Sequence, residues 1–345
     1  MTLVIAIAGL VVVLAAAGAL YQVVGARRAA RSCAAPGAMV DVGGHRLHAV
    51  CRGAGTPAVV FESGIAASSL SWTRVLPEVA AFTRACSYDR AGLAWSEPSH
   101  HPRTLPRIVA ELHVLVARLS LAAPYVLVGH SFGAFIVCAY GSAHPNDVAA
   151  LLLLDPPAPG EWHPTTRERE RLLRGGIQLS RVGGVLARLG IVRACLALLT
   201  GGAPGVPRNF VKVFGPGAAR TLERLVGEVR KLPPEVHPIV QALWCQPKCF
   251  RAMADHLGAL HETAAFMASL RSLPDVPVVV ISSGRQPDDV IAAQRELARL
   301  SPQGRHLVAR DSGHWIQFDE PDLVVRVLRE VVERVRGIEP VGRAD

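Results

Sequence analysis

Three short apolar runs constrain this chain more than any other feature: PAVVFESG at residues 57–64, PYVLVGHS at 124–131 and DVAALLLLD at 147–155. Each is too short for a typical helix and lacks the polar–apolar alternation of a half-exposed strand. Such runs are strands buried on both faces. RACSYDR at 84–90 adds a fourth strand of the same series. Between them lie segments of helical period. Residues 71–82 form one. Residues 104–120 place Leu105, Ile108, Leu112, Leu115 and Leu119 on one face, and AFIVCAYGSAH is an apolar helix. Strands alternating with helices are joined by right-handed crossovers, so the fold class is α/β, a mostly parallel sheet flanked by helices. Upstream, MVDV and HRLHAVC flank Gly43-Gly44, the pattern of a hairpin.

The rhythm stops at Pro156. From there to Asp275 no clear strand occurs, and TTRERERLLRG, IQLSRVGGVLARLGIVRACLALL, AARTLERLVGEVRKL and a stretch around 248–272 are helical. Strands resume with VPVVVISSG and RHLVAR, with a helix near 290–300 and a last one near 320–336. Residues 156–275 therefore form a helical cap inserted after the sixth strand. The sheet core is split into 32–155 and 276–345. The net charge is +9, and the cap concentrates it, with 16 basic and 9 acidic side chains. Aromatics are 5% and no nucleic-acid motif occurs, so nucleic acid is excluded as a partner. Seven cysteines are too few for a disulfide scaffold, and Cys245 and Cys249 read as buried thiols.

The segment from Thr2 to Ala26 carries no charged residue. It is long enough to span a bilayer core of about 30 Å. It lacks the basic n-region and the short apolar core of a cleaved signal, so residues 1–31 are expected to be an uncleaved single-pass anchor and its basic flank. Tyr21 suits the interface. Arg27, Arg28 and Arg31 put the following domain on the cytoplasmic side by the positive-inside rule. In the cap, Arg181, Arg188 and Arg193 interrupt the apolar residues of the stretch 177–199. That stretch either meets anionic lipid or packs over the site below it.

Gly129-His130-Ser131-Phe132-Gly133 fits the G-x-S-x-G pattern, after an apolar strand and before an apolar helix. In that context the serine sits on a sharp turn with its Oγ above the sheet, and the helix N–H groups face negative charge. With this motif, ESGIAASS after the third strand, SYDRAGLAWSEPS after the fourth and DSGHWIQFDEP near the end, residues 39–336 resemble the α/β-hydrolase superfamily. The likeness is to the cap-bearing branch of esterases, proline iminopeptidase-like enzymes and cofactor-free haloperoxidases.

The resemblance implies a triad with Ser131 as nucleophile. His314, in a loop at the carboxyl edge of the sheet, is the base. Phe132 N–H is one oxyanion donor and Ile65 N–H the second. Many relatives carry His-Gly where this chain has Ser63-Gly64. The acid is less determined. In this superfamily it usually follows the seventh strand, in some branches the sixth. The expected slot after Gly284 holds Pro287, with Asp288 and Asp289 just beyond. Asp155 ends the sixth strand directly and is the favoured acid, with Asp288, then Asp289, as alternatives. Asp89-Arg90 braces the site rather than reacting, and Trp95 and Ser96 are candidates to line the pocket.

The expected function is a membrane-anchored serine hydrolase cleaving an ester or amide of a small-molecule acyl substrate through an acyl-enzyme. Two other readings stand beside it: a haloperoxidase-like enzyme on the same triad, and a non-catalytic ligand-binding protein. Related enzymes that open epoxides or dehalogenate carry Asp at the elbow, so Ser131 argues against that chemistry. No cofactor or metal is implied, and the oligomeric state is open.

Overall fold

The computed structural model describes residues 1–200 and 231–338. Its centre is an eight-stranded sheet in the order β1-β2-β4-β3-β5-β6-β7-β8. The strands are β1 (Ala38–Asp41), β2 (Arg46–Arg52), β3 (Val59–Glu62), β4 (Ala85–Tyr88), β5 (Tyr125–His130), β6 (Val148–Leu154), β7 (Val278–Ser283) and β8 (Gly304–Ala309). The first hairpin turns at Gly43 and Gly44, both at positive φ near +100° and +95°. It pairs antiparallel with β4, and the strands from β4 through β3 to β8 run parallel.

Every residue of β5 and β6 is buried. Their side chains alternate strictly. Leu127, Leu151 and Leu153 join one core with α3 (Leu105–Arg118) and α4 (Phe132–Ala143). Val126, Val128, Leu152 and Leu154 join the other. That second core is closed by α2 (Leu76–Ala80) and by the C-terminal helix Pro321–Val335. Period-2 sidedness explains why these strands read as unbroken apolar runs: both faces are covered.

Residues 71–82 depart from the single helix expected there. A 3-10 turn at Ser69–Trp72 precedes α2, because Pro77 has no N–H to continue a helix and fits only its first turn. Between β6 and β7 the described residues contain helices and no strand. These are α5 (Pro159–Trp162), α6 (Arg167–Arg188), α7 (Ile191–Thr200), α8 (His237–Trp244), α9 (Pro247–Gly258) and α10 (Leu260–Ser269). The first expected segment and the first part of the second (177–199) form one helix, α6, and the second is broken where Gly190 takes φ +71°, its remainder forming α7. Most of AARTLERLVGEVRKL lies outside the described residues.

Cys51 and Cys86 sit opposite each other in the β2–β4 register and form a disulfide. Helix α1 (Thr2–Ser32) is long and apolar enough to cross a bilayer. Its first half is bare, whereas one face of its second half packs on the cap. Gln22 Nε2 donates to Cys245 O at 3.0 Å, Arg193 Nε donates to Gln22 Oε1 at 2.9 Å, and Trp95 Nε1 caps Cys33 O at 2.9 Å.

Candidate active site

Ser131 lies between the end of β5 and the start of α4, with φ 54° and ψ −124°. A non-glycine residue at positive φ is strained, and such strain gathers at functional sites. The neighbouring glycines are required by space. A Cβ on Gly129 would lie 2.5 Å from Ala134 Cα, and one on Gly133 would lie 2.5 Å from Glu62 O. The Ser131 N–H donates to Leu154 O at 2.9 Å, so the elbow hangs directly on β6.

The loop after β3 crosses this turn. A Cβ on Gly64 would come within 3.3 Å of Ser131 Cβ. Among the described residues the N–H groups of Ile65 and Phe132 make no hydrogen bond within the protein. Phe132 owes this to being the first residue of α4. Two free donors near a serine Oγ are the arrangement that stabilises a tetrahedral oxyanion. Ser63 fills its position well: its Oγ donates to Ser68 O at 3.0 Å and accepts from Trp72 Nε1 at 3.0 Å. Arg90 holds the same loop from below through Ser63 O, Gly64 O and the Glu62 carboxylate. Burial pushes the Glu62 carboxyl up, against the pull of Arg90. Asp89 accepts from Ser69 N and pairs with His48 Nδ1. Asp89 and Arg90 are thus braces in their contacts.

His314 stands in the loop after β8, and its Nδ1 lies 2.7 Å from Asp155 Oδ2. Asp155 follows β6 with φ +42° and is buried. Its oxygens accept three further hydrogen bonds, from Ser283 N (3.2 Å), Gln286 Nε2 (2.7 Å) and Gln294 Nε2 (3.0 Å). Burial alone would raise its pKa. The hydrogen bond and charge of His314 and the two amides outweigh it and hold the carboxyl below its ordinary range. The structure does not bring Asp288 or Asp289 to His314. Both are exposed in the first turn of the helix Asp288–Ala298, where a carboxylate complements the helix dipole. Pro287 starts that helix and turns the slot away from the site.

His130, behind the elbow, hydrogen-bonds through Nε2 to His314 O at 2.8 Å and so ties the His314 loop to β5. Burial pushes its pKa down to about 3, so it is neutral and donates. Ser131 Oγ itself has no hydrogen bond among the described residues, as is common before substrate draws such groups together. A small cavity reaches Trp315, the residue after His314, and is lined by Ser68, Leu70, Ser71, Val240, Trp244 and Phe318. Trp95 and Ser96 do not line it. Ser96 instead bonds Asp89 O and His48 N, a brace like its neighbours. The amides Gln286 and Gln294 and the tie from His130 carry no sequence pattern that distinguishes them. His113, His144 and Asp147 bring possible metal-ligand atoms within 4.8 Å of one another at the far, C-terminal end of α4.

Residues 57–175 match the family model described as alpha/beta hydrolase fold. The sheet, the elbow and the order of its elements follow that fold throughout. The chain has the α/β-hydrolase fold. Among solved structures, this chain resembles a thermophilic esterase from Thermogutta terrifontis, with TM-score 0.60 and 20% identity over 86% of this chain and 97% of that one. It likewise resembles the epoxide hydrolase CorEH, with TM-score 0.63 and 17% identity over 87% and 99%. Likeness at this level carries the fold and leaves the reaction to the site. The uncharacterized protein YqjL of Bacillus subtilis is 32% identical over 105 residues, 30% of this chain and 42% of that protein. The chain spans less than half the length of the first curated relatives it matches.

Proposed function

We propose that this hydrolase is a serine esterase working through an acyl-enzyme on Ser131. The observation that carries the reading is the convergence of the strained Ser131 turn, two free N–H groups and the hydrogen-bonded His314–Asp155 pair. In the reaction His314 takes the Ser131 proton through Nε2 as Oγ attacks the ester carbonyl. The N–H groups of Ile65 and Phe132 hold the oxyanion. His314 then protonates the leaving alkoxide, and water repeats the sequence to release the acid. Asp155 fixes the imidazole tautomer and stabilises the imidazolium. The apolar cluster of Leu70, Val240, Trp244 and Phe318 about Trp315, the residue after His314, favours an ester with an apolar acyl or alcohol part over a charged substrate.

The test is labelling by a fluorophosphonate probe together with turnover of an activated ester. Wild type is expected to show both and Ser131→Ala neither, while staying folded. Normal turnover by Ser131→Ala would reject the reading.

We further propose that α1 is retained as an anchor. Its second half is part of the folded domain through Gln22, and this supports retention over cleavage. The Cys51–Cys86 disulfide supports a catalytic domain facing an oxidising compartment, against the cytoplasmic side suggested by Arg27, Arg28 and Arg31. Protein held in carbonate-washed membranes, with Cys51 and Cys86 alkylated only after reduction, is the expected result. A mature chain beginning near residue 20 would overturn the anchor.

A further inference from the structure

From Gly18 onward one face of α1 meets the cap, while Leu20, Tyr21, Val23 and Val24 stay exposed on the other. Large apolar side chains from Leu3 to Leu14 are exposed by 55% or more. At Gly18 the cap arrives: an added Cβ would stand 2.2 Å from Leu189 O, and Gly190 packs equally closely on Gly18 O. The bare stretch, residues 2–17, is about 24 Å long at 1.5 Å per residue, against a hydrocarbon core of about 30 Å. A membrane that takes up this stretch therefore reaches the α6–α7 joint at its surface.

Helix α6 bears two apolar stripes. Leu173, Ser180, Gly183 and Ala187 are buried, with Gly183 against Phe250 of α9. Leu172, Leu179 and Val182, spaced for one helix face, are 67%, 42% and 47% exposed, and Val185 and Ile191 continue outward exposure toward the joint. Arg181 and Arg188, both exposed, border the stripe. An apolar face edged by arginines is what an interfacial helix presents to lipid. The wall of the cavity is close by. Cys245 O accepts the Gln22 bond, and the preceding Trp244 lines the cavity next to Trp315, the neighbour of His314.

We propose that the α6 stripe and the α6–α7 joint lie in the headgroup region of the bilayer holding α1, and that the enzyme draws a lipophilic, long-chain ester from that bilayer. This rests on the anchored serine-esterase reading. Continuity with α1 selects lipid over a second copy or another segment of this chain.

The experiment uses the full chain reconstituted in vesicles of phosphatidylcholine with and without phosphatidylglycerol. Leu172→Asp/Leu179→Asp/Val182→Asp is compared with wild type on a long-chain ester in the bilayer and on a short water-soluble ester. The expected result is a loss of roughly tenfold on the bilayer ester with the soluble ester unchanged. Equal rates on both esters, or an equal loss on both, would overturn the proposal. Val182→Trp, which keeps the stripe apolar, gives an independent reading: its added fluorescence is expected to be quenched by brominated lipid. Absence of quenching, or a dimer that the Asp variant dissolves, would assign the stripe to protein instead. If wild type takes neither the probe nor either ester, the failure belongs to the serine-esterase reading, and the quenching result still stands or falls alone.

Discussion

His314 Nδ1 lies 2.7 Å from Asp155 Oδ2, across 159 residues of chain and the whole cap. The pair puts the carboxylate on the end of β6, where a strand holds it, and leaves the acidic residues after β7 in solvent. Asp155→Asn is expected to lower kcat by about 10⁴ on an activated ester, because the amide stabilises the wrong imidazole tautomer. Asp288→Asn and Asp289→Asn are expected to stay within about twofold of wild type, since surface changes of this kind have small effects. Steady-state kinetics of the three variants on one substrate checks the assignment, and the reverse ranking would move the acid to the helix Asp288–Ala298.

The amides behind Asp155 should matter to a smaller degree. Gln294 Nε2 bonds both Asp155 Oδ1 and Pro156 O. Losing a hydrogen bond to a charged group costs about 1.5–3 kcal/mol. Gln294→Leu is therefore expected to reduce kcat about tenfold or more, with KM for a short ester little changed. A change confined to KM would show that Gln294 shapes the pocket and leaves the carboxylate alone.

Arg90 and Glu62 form a buried ion pair beneath the oxyanion loop. Removing one partner of a buried pair costs about 3–5 kcal/mol, since the other charge is left without compensation. Arg90→Met is expected to lower the denaturant midpoint and to slow turnover, as Ser63 O and Gly64 O lose their donor. Glu62→Gln with Arg90→Met should recover part of the stability but not the rate. Recovery of both would show that the loop does not depend on Arg90.

Acid should destabilise the fold before it reaches the carboxylates. Burial holds His130 at about 3 and pushes His256 well down, so both are neutral in the native state. Their folded values lie below the ordinary histidine value, so the unfolded chain binds protons first as pH falls. Stability is full above about 6.5 and declines below it, by about 2 kcal/mol per such histidine between pH 7 and pH 5. Asp155 acts lower down: its depressed value adds stability that is lost only as pH falls through the carboxylate range. Denaturant titrations at pH 7 and pH 5 check the slope, and His130→Gln is expected to flatten it by one histidine's share. An unchanged slope in that variant would show that His130 is not the group that titrates.

Much of this was legible from residue order. The strand, GHSFG and apolar helix lay contiguous, and local chemistry alone dictates that turn. His314 was marked by its loop after a strand. Asp155 was harder, because Pro287 blocks a familiar slot while two aspartates stand beside it, and only the helix Asp288–Ala298 shows that they face solvent. Gln286, Gln294 and the tie from His130 to His314 O were out of reach, since amides and carbonyls become partners only when distant strands are brought together. The same holds for Cys51 and Cys86: their pairing depends on β2 meeting β4 in one register. At residues 71–82 helical periodicity outran Pro77, which restarts the chain at α2.

The bond from Ser131 N to Leu154 O joins the proposed nucleophile to the residue just before the proposed acid, while Asp155 N bonds Ile281 O on the next strand. Spacing between nucleophile and acid is thus a property of strand pairing: to alter it, β5 must slip against β6 and surrender its whole ladder. The cap, among the described residues, contributes no hydrogen bond to Ser131, His314 or Asp155. Reaction and recognition are therefore separable parts of this protein. Its cap helices can be rebuilt while the site beneath them keeps its dimensions.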